Sequence, residues 1–104
     1  MPVTTIGTTS VHVDAEGFLT DYAEWDEELA SQLAGAIGVE LTDAHWTAIR
    51  FLREDYPSQG ETATLRRVSA QAGIPVKELF ALFPGKPAKK MAYIAGLPKP
   101  RGCV

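Results

Sequence analysis

A single thiol is the side chain of this sequence best suited to chemistry. Cys103 is the only cysteine among 104 residues, in the ending Gly96-Leu97-Pro98-Lys99-Pro100-Arg101-Gly102-Cys103-Val104. The cations Lys99 and Arg101 favour its nucleophilic thiolate form, which a C-terminal carboxylate opposes. The position of Cys103 is equally compatible with a thiol that works as a nucleophile and with an inert exposed residue or half of an intermolecular disulfide.

The segment that carries this thiol is predicted to be extended. Pro98 and Pro100 cannot continue a helix, and each pushes the preceding residue toward an extended conformation. Gly102 leaves no side chain beside the sulfur. We therefore predict one globular domain over residues 1–96 and a flexible arm over residues 97–104, able to enter a pocket of another protein.

The rest of the sequence predicts a mostly helical α+β fold. Residues 3–13 have the alternation of a small N-terminal β-hairpin, which is only marginally stable alone and must pack on helices. Apolar side chains then recur every three or four residues in about five segments. We predict an orthogonal bundle of about five short helices with the hairpin packed against it.

Two of these helices carry specific predictions. The second is expected to begin after Thr42, a favourable N-cap residue, and to end at Pro57. The fourth is expected to direct one apolar stripe toward the core. That stripe consists of Val76, Leu79, Phe80 and Phe83.

The third and fourth helices, within residues 64–83, have the pattern of a helix-turn-helix with Gly73 in the turn. This pair raises an alternative function, a DNA-binding regulator that uses Cys103 as a thiol sensor. Its second helix offers only Lys77 and Glu78 as polar side chains for contacting bases, and it has no Arg, Asn or Gln. Direct DNA binding is therefore the less favoured interpretation.

Charge is divided unevenly along the chain. Residues 1–49 contain nine Asp and Glu but no Lys or Arg, whereas residues 62–104 contain eight Lys and Arg and one acid. This asymmetry predicts a basic face that docks an acidic partner, with surfaces that differ only in their solvation as the alternative. The candidate docking residues are Arg66, Arg67, Lys77, Lys86, Lys89 and Lys90.

Other chemistries lack the residues that they need. His12 and His45 are not spaced with Cys103 as metal ligands, so no metal is expected, and no glycine pattern predicts a bound nucleotide or other cofactor. His45 is expected to have a structural or capping role, and the adjacent acids Glu54 and Asp55 to lie on the surface. No apolar stretch predicts a membrane span, and a lone cysteine without a signal peptide predicts a cytoplasmic protein.

The ending of the chain resembles the C-terminal arm of the DsrC/TusE family of sulfur carriers, which includes the gamma-subunit-like partner of dissimilatory sulfite reductase. The matching arm residues are Ile94-Ala95-Gly96-Leu97-Pro98-Lys99-Pro100 and Gly102-Cys103-Val104. Weaker matches follow in the family's order and extend the resemblance over nearly the full length. They are Asp14, Glu16-Gly17-Phe18-Leu19, Trp25, Glu40-Leu41-Thr42, His45-Trp46, Phe51-Leu52-Arg53-Glu54, Leu82-Phe83-Pro84 and Pro87-Ala88-Lys89.

The resemblance implies a sulfur relay through Cys103. The thiol would accept a sulfane sulfur as a persulfide and pass it on, so the chain would be a sulfurtransferase-type carrier rather than a stand-alone enzyme. The implied donor is a TusBCD- or DsrEFH-like complex or another sulfurtransferase. The implied acceptor is a tRNA thiolase that makes 2-thiouridine, or an enzyme of sulfur metabolism.

The sequence departs from the family at one position. Members that act with sulfite reductase carry a second cysteine eleven residues before the penultimate one, where this chain has Ala92. A chain with one thiol cannot close an intramolecular disulfide, so the resemblance implies the single-cysteine chemistry of TusE-like members. A partner protein of dissimilatory or oxidative sulfur metabolism that works without the second cysteine is the alternative.

Overall fold

The structure is a computed structural model that describes residues 3–6 and 9–100. The strands are β1 (Val3–Ile6) and β2 (Thr9–His12), followed by a 3-10 helix (Tyr22–Glu24). The α-helices are α1 (Glu27–Ala36), α2 (Asp43–Gln59), α3 (Leu65–Ala72), α4 (Val76–Leu82) and α5 (Pro87–Ile94). The predicted α+β fold of a hairpin and about five helices is confirmed for the described residues. None of these helices combines the length and the apolar character needed to cross a bilayer.

The hairpin is held against the helices by a small apolar cluster. Its strands are antiparallel, with Val3 opposite His12 and Thr4 opposite Val11. Val11 is completely buried whereas His12 is exposed, as the alternation along the strand requires. The cluster consists of Val11, Val13, Leu19, Leu29 and Leu33. It joins β2 and the turn after it to α1, which supplies the packing that an isolated hairpin lacks.

The main core lies between the five α-helices. Each helix contributes fully or almost fully buried apolar side chains, and Leu97, after the end of α5, belongs to the same cluster. The larger members are Ile49, Leu52, Val68, Leu79, Phe83, Met91, Ile94 and Leu97. The core therefore extends into the first residue of the predicted arm.

Side chains that accept backbone N–H groups mark where the helices begin. Asp26 accepts the N–H of Leu29 at 2.7 Å and so caps α1. At the start of α2, the Nδ1 atom of His45 accepts the N–H of Thr42 at 3.0 Å. The Nε2 atom of His45 lies 2.7 Å from the carbonyl oxygen of Leu82, to which it donates. The capping role predicted for His45 is confirmed, and its ring also ties α2 to the end of α4.

The predicted end of α2 at Pro57 is wrong. The helix continues to Gln59 and ends at Gly60, which has a φ of 72°. A proline within a helix deprives the carbonyl four residues earlier, here that of Arg53, of its hydrogen bond. In this fold the hydroxyl of Tyr22 donates to that carbonyl at 2.7 Å. The acceptor is thus satisfied from outside the helix, which removes part of the cost of the proline.

The apolar stripe predicted for α4 is correct in only half of its positions. Leu79 and Phe83 are completely buried, but Val76 and Phe80 expose 40% and 48% of their surface. A helix of seven residues presents one narrow row to the core, and here that row is an i, i+4 pair. The helix-turn-helix-like pair itself is present, because α3 packs on α4 across a turn in which Gly73 has a φ of 74°.

Candidate functional site

The base of the predicted arm is fixed to the body by a tight contact between a glycine and a tryptophan. Gly96 ends α5 with a φ of 69°, a conformation that side chains rarely adopt. A Cβ atom at this position would lie 2.5 Å from the indole of Trp25. The Nε1 atom of Trp25 also donates to the carbonyl of Ile94 at 2.8 Å. Trp25 therefore holds the last turn of α5 and the residue from which the arm departs.

A half-buried arginine, Arg53, completes this support. The guanidinium of Arg53 lies over the rings of Tyr22 and Trp25, with its carbon 3.7 Å and 4.3 Å from the ring centres. It donates to the carbonyl of Ala95 at 3.1 Å and to that of Tyr22 at 2.9 Å. Burial lowers the pKa of Arg53, but a guanidinium titrates so far above neutrality that it stays charged. One cation therefore joins α2, the 3-10 helix and the end of α5.

The first four residues of the arm pack on the body. Leu97 is completely buried, and its N–H donates to the carbonyl of Ala92 at 3.0 Å. The carbonyl of Pro98 accepts the hydroxyl of Thr62 at 2.7 Å, and Pro100 is buried. Pro98 and Lys99 are exposed. The described arm residues thus lie along the surface of the body, with Leu97 and Pro100 packed against it.

An ion pair adds a further contact along the arm. The ammonium of Lys99 lies 3.4 Å from a carboxylate oxygen of Glu16, in the turn after the hairpin. Both side chains are largely exposed, so the pair contributes little to stability. The ion pair matters for the position of the arm, because it places Lys99 beside the turn at residues 14–17.

The remaining arm residues with predicted roles are Arg101, Gly102 and Cys103, which lie outside the described residues. Of the thiolate-supporting positions, Pro98, Lys99 and Pro100 are therefore placed by the structure, and the nucleophile is not. Ala92, where some family members have a second cysteine, is completely buried in α5. A sulfur atom at that position would lie against the core in this conformation.

Three of the six predicted docking residues share one cleft. Lys86, Lys89 and Lys90 line a depression of about 510 Å³. Its apolar lining comes from Phe18, Ile37 and Tyr93, and its remaining lining residues are Glu16 and Gly85. Burial raises the pKa of Tyr93. Lys90 donates to the carbonyl of Pro84.

The other three docking candidates lie elsewhere. Arg66 on α3 and Lys77 on α4 are exposed and do not line this cleft. Arg67 makes two hydrogen bonds to the carboxylate of Asp55, at 3.0 and 2.6 Å, and this carboxylate raises the pKa of Arg67. The predicted basic face is therefore not one continuous group of free cations in the described part of the chain.

The prediction that Asp55 lies on the surface is wrong. Asp55 is only 8% exposed and is paired with Arg67 across the α2–α3 junction. The signal was present in the sequence, since the helical spacing of Ala48, Leu52 and Asp55 places all three on one face. Glu54, its neighbour, is exposed as predicted.

Several contacts at the arm's base had no signal in the sequence. Thr62 and Glu16 are ordinary loop residues by type, and their link to the arm depends on how distant segments meet. Trp25 packs against the core cluster while remaining partly exposed. Its contact with Gly96, more than seventy residues later, could not be inferred from either residue type.

Comparison with known proteins gives concordant matches. The family model described as DsrC like protein matches residues 5–104. The sulfurtransferase TusE of Sodalis glossinidius is 40% identical over 103 residues, which covers 92% of this chain and 95% of the relative. No comparison favours the DNA-binding alternative, although the helix pair that suggested it is present.

Solved structures agree with this assignment. A crystal structure of dissimilatory sulfite reductase I (DsrI) superposes with a TM-score of 0.84 at 34% identity and covers 99% of this chain and 100% of its own. The oxidized gamma-subunit of the dissimilatory sulfite reductase (DsrC) from Archaeoglobus fulgidus gives a TM-score of 0.81 at 37% identity, with 99% and 100% covered. By its sequence over residues 5–104 and by its fold, this chain belongs to the DsrC/TusE family of sulfur-relay proteins.

Proposed function

We propose that this chain is a sulfur carrier that works through Cys103. The Cys103 thiolate attacks the outer sulfur of a donor persulfide and forms a new S–S bond. The donor's own S–S bond breaks, and the donor cysteine leaves as a thiolate. The products are a Cys103 persulfide and a free donor thiol, so one sulfur atom moves without an external oxidant or reductant.

The observation that carries this proposal is the 40% identity to a TusE sulfurtransferase over 92% of this chain. It is supported by the presence of only one cysteine in the sequence. No other residue of the sequence can form a persulfide. Among residues 3–6 and 9–100, no three His, Cys, Asp or Glu side chains are grouped as metal ligands. The carrier role therefore rests on the arm and on the body that holds its base.

The contacts at residues 96–100 suggest separate roles for the arm and for the body. We propose that residues 97–104 act as the arm, with its base directed by Trp25, Thr62 and Glu16 and its thiol offered to partner proteins. Lys99 and Arg101 would favour the thiolate and the persulfide anion through their charge. The rest of the body supplies recognition.

The partners in this proposal are a sulfur-donor protein and a tRNA thiolase that makes 2-thiouridine. The single thiol supports this TusE-like route, because chemistry that joins two sulfurs of one chain would need a second cysteine at Ala92. A lone cysteine also suits a reducing compartment, and we propose the cytoplasm as the location. In cells, Cys103→Ser should lower the 2-thiouridine content of wobble positions, which hydrolysed tRNA measures directly.

The decisive experiment is intact-mass analysis after incubation with a persulfidated sulfurtransferase. Wild type should gain one sulfur atom, and dithiothreitol should remove it. Cys103→Ser should gain none while keeping its melting temperature. A matched control restores an exposed thiol on α1 by adding Ser31→Cys to Cys103→Ser.

The outcomes distinguish loading that depends on the arm from loading of any exposed thiol. Loading of wild type but not of the relocated thiol supports a carrier that depends on its arm. Equal loading of both proteins would mean that any exposed cysteine suffices, and it would overturn the proposed role of the arm. Absence of loading from several competent donors would overturn sulfur carriage altogether.

A further inference from the structure

The lysine-lined cleft is amphipathic. Its floor consists of Phe18, which is 2% exposed, together with the half-buried side chains of Ile37 and Tyr93. The rings of Phe18 and Tyr93 meet edge to face with their centres 6.0 Å apart, which makes this floor a defined shape. At about 510 Å³ the cleft is within the size range of a typical binding site.

The charges around the floor are predominantly positive. Lys86 is exposed and Lys89 is half-buried, and neither forms an ion pair with any acid of residues 3–6 and 9–100. Lys90 is directed to the carbonyl of Pro84, which leaves its positive charge uncompensated. Among the described lining residues the one acid, Glu16, is already paired with Lys99. The cleft is therefore complementary to an anion that also presents an apolar group.

The cleft is also joined to the arm. Glu16 belongs to the lining of the cleft and contacts Lys99 of the arm at 3.4 Å. The chain length alone limits the distance from the Cα atom of Pro100 to that of Cys103 to about 11 Å, because three Cα-to-Cα steps of at most ~3.6 Å separate them. A protein segment bound in the cleft would thus hold its own active site near the thiol.

We infer that this cleft binds an acidic segment of the sulfur-donor protein. One aromatic or long aliphatic side chain of that segment packs on Phe18, Ile37 and Tyr93, and flanking Asp or Glu residues pair with Lys86 and Lys89. The inference rests on the proposed function, since it names the surface through which the donor is recognised. The cations of α3 and α4 have no part in this contact.

The test compares two charge reversals of equal size. Lys86→Glu with Lys89→Glu alters the cleft, and Arg66→Glu with Lys77→Glu makes the same change in net charge on α3 and α4. All four side chains lack ion-pair partners in the described part of the chain, so both variants should fold, as circular dichroism checks. Each variant is loaded either by a persulfidated sulfurtransferase or by glutathione persulfide.

The cleft variant should lose about tenfold in its rate of loading from the protein donor, because opposed charges at a docking contact act on association. Its loading from glutathione persulfide should stay within about twofold of wild type, because the thiol is unchanged. The control variant should match wild type with both donors. Equal loss in the two variants, or loss only in the control, overturns the cleft as the docking site. Failure of every protein to load from either donor overturns the carrier proposal instead.

A second measurement tests the apolar half of the cleft. The probe is a peptide with one phenylalanine flanked on each side by two acids, titrated into the ¹⁵N-labelled chain, beside the same peptide with serine in place of phenylalanine. Chemical-shift changes centred on Phe18, Ile37 and Tyr93 that weaken with the serine peptide are expected. Changes centred on α4, or equal changes with both peptides, would contradict the inference.

Discussion

The hydroxyl of Thr62 donates a 2.7 Å hydrogen bond to the carbonyl oxygen of Pro98, so the loop between α2 and α3 holds the base of the arm. Thr62 is 4% exposed. Removing its hydroxyl leaves the Pro98 carbonyl without this hydrogen-bond donor. Thr62→Val should lower the free energy of unfolding by about 1 kcal/mol, measured by urea denaturation. Thr62→Ser keeps the hydroxyl and should lose clearly less. Equal losses would mean that the hydroxyl contributes no more to stability than the methyl group that Thr62→Ser removes.

Gly96 and Gly38 allow backbone strain to be separated from steric conflict. Both have positive φ, 69° and 74°, but a Cβ at Gly38 meets no atom within 4 Å, whereas at Gly96 it meets Trp25 at 2.5 Å. Gly38→Ala should therefore cost about 1 kcal/mol, the penalty for a left-handed residue. Gly96→Ala should cost at least about twice as much, because Trp25 must also move. Similar melting temperatures for the two variants would contradict the tight contact at the arm's base.

The Asp55–Arg67 pair should respond unequally to loss of its two members. Asp55 is buried whereas the Arg67 side chain is 37% exposed. Arg67→Met leaves a buried carboxylate without its cation and should therefore be the more destabilising of the two changes. Asp55→Asn leaves a guanidinium that can turn toward water, and it should cost about 1 kcal/mol. Chemical denaturation at neutral pH measures both, and a larger loss for Asp55→Asn would mean that the carboxylate is not effectively buried.

Acid should weaken the contact between the hairpin and the 3-10 helix. Glu24 accepts the backbone N–H of His12 at 2.8 Å and lies 2.7 Å from its Nδ1 atom. The backbone hydrogen bond is the main cause that lowers the pKa of Glu24 below its ordinary value of 4.5. A carboxyl group with a depressed folded-state pKa stabilises the fold fully above its unfolded value, and this contribution disappears as the pH falls through the folded value.

The corresponding measurement is the melting temperature from pH 6 down to pH 3 for wild type and Glu24→Gln. The difference between the two proteins should shrink as the pH falls below 4.5. Glu28→Gln, in the first turn of α1, serves as a control for a carboxylate without a His12 contact. A difference that stays constant over this range would show that the Glu24 charge does not contribute to stability.

Much of the fold could be predicted because its signals are local. Helix α5 begins at Pro87 and ends before Gly96. Helix α3 begins after its N-cap Thr64 and ends at Gly73. A proline in the first turn and a glycine after the last turn are common helix boundary signals. The wrong prediction for the end of α2 comes from a contact with a distant segment. Pro57 does not end α2, and the Arg53 carbonyl that loses its helical hydrogen bond accepts one from Tyr22 instead. No residue close to Pro57 in the sequence indicates this contact.

For the proposed site, the sequence indicates a chemistry but not the contacts that support the arm. The types and spacing of the arm residues singled out Cys103, because the thiol and its neighbouring cations are adjacent in sequence. The path of the arm depends instead on Thr62, Trp25 and Glu16, each of which meets it only after the chain has folded. The six predicted docking cations likewise separate in space. Arg67 is paired with Asp55, and Arg66 and Lys77 lie on α3 and α4. Lys86, Lys89 and Lys90 stay together because they are three and four residues apart at the start of α5.

The contact of Trp25 with Gly96 gives the protein a built-in optical probe. Indole fluorescence depends on the polarity around the ring and on hydrogen bonding at its nitrogen, and in Trp25 both are set by the last turn of α5. Replacing Trp46, the other tryptophan, by phenylalanine would leave a chain whose emission reports on the base of the arm alone. Stopped-flow emission during sulfur loading would then time any movement of the arm's base against the transfer itself, without an attached dye.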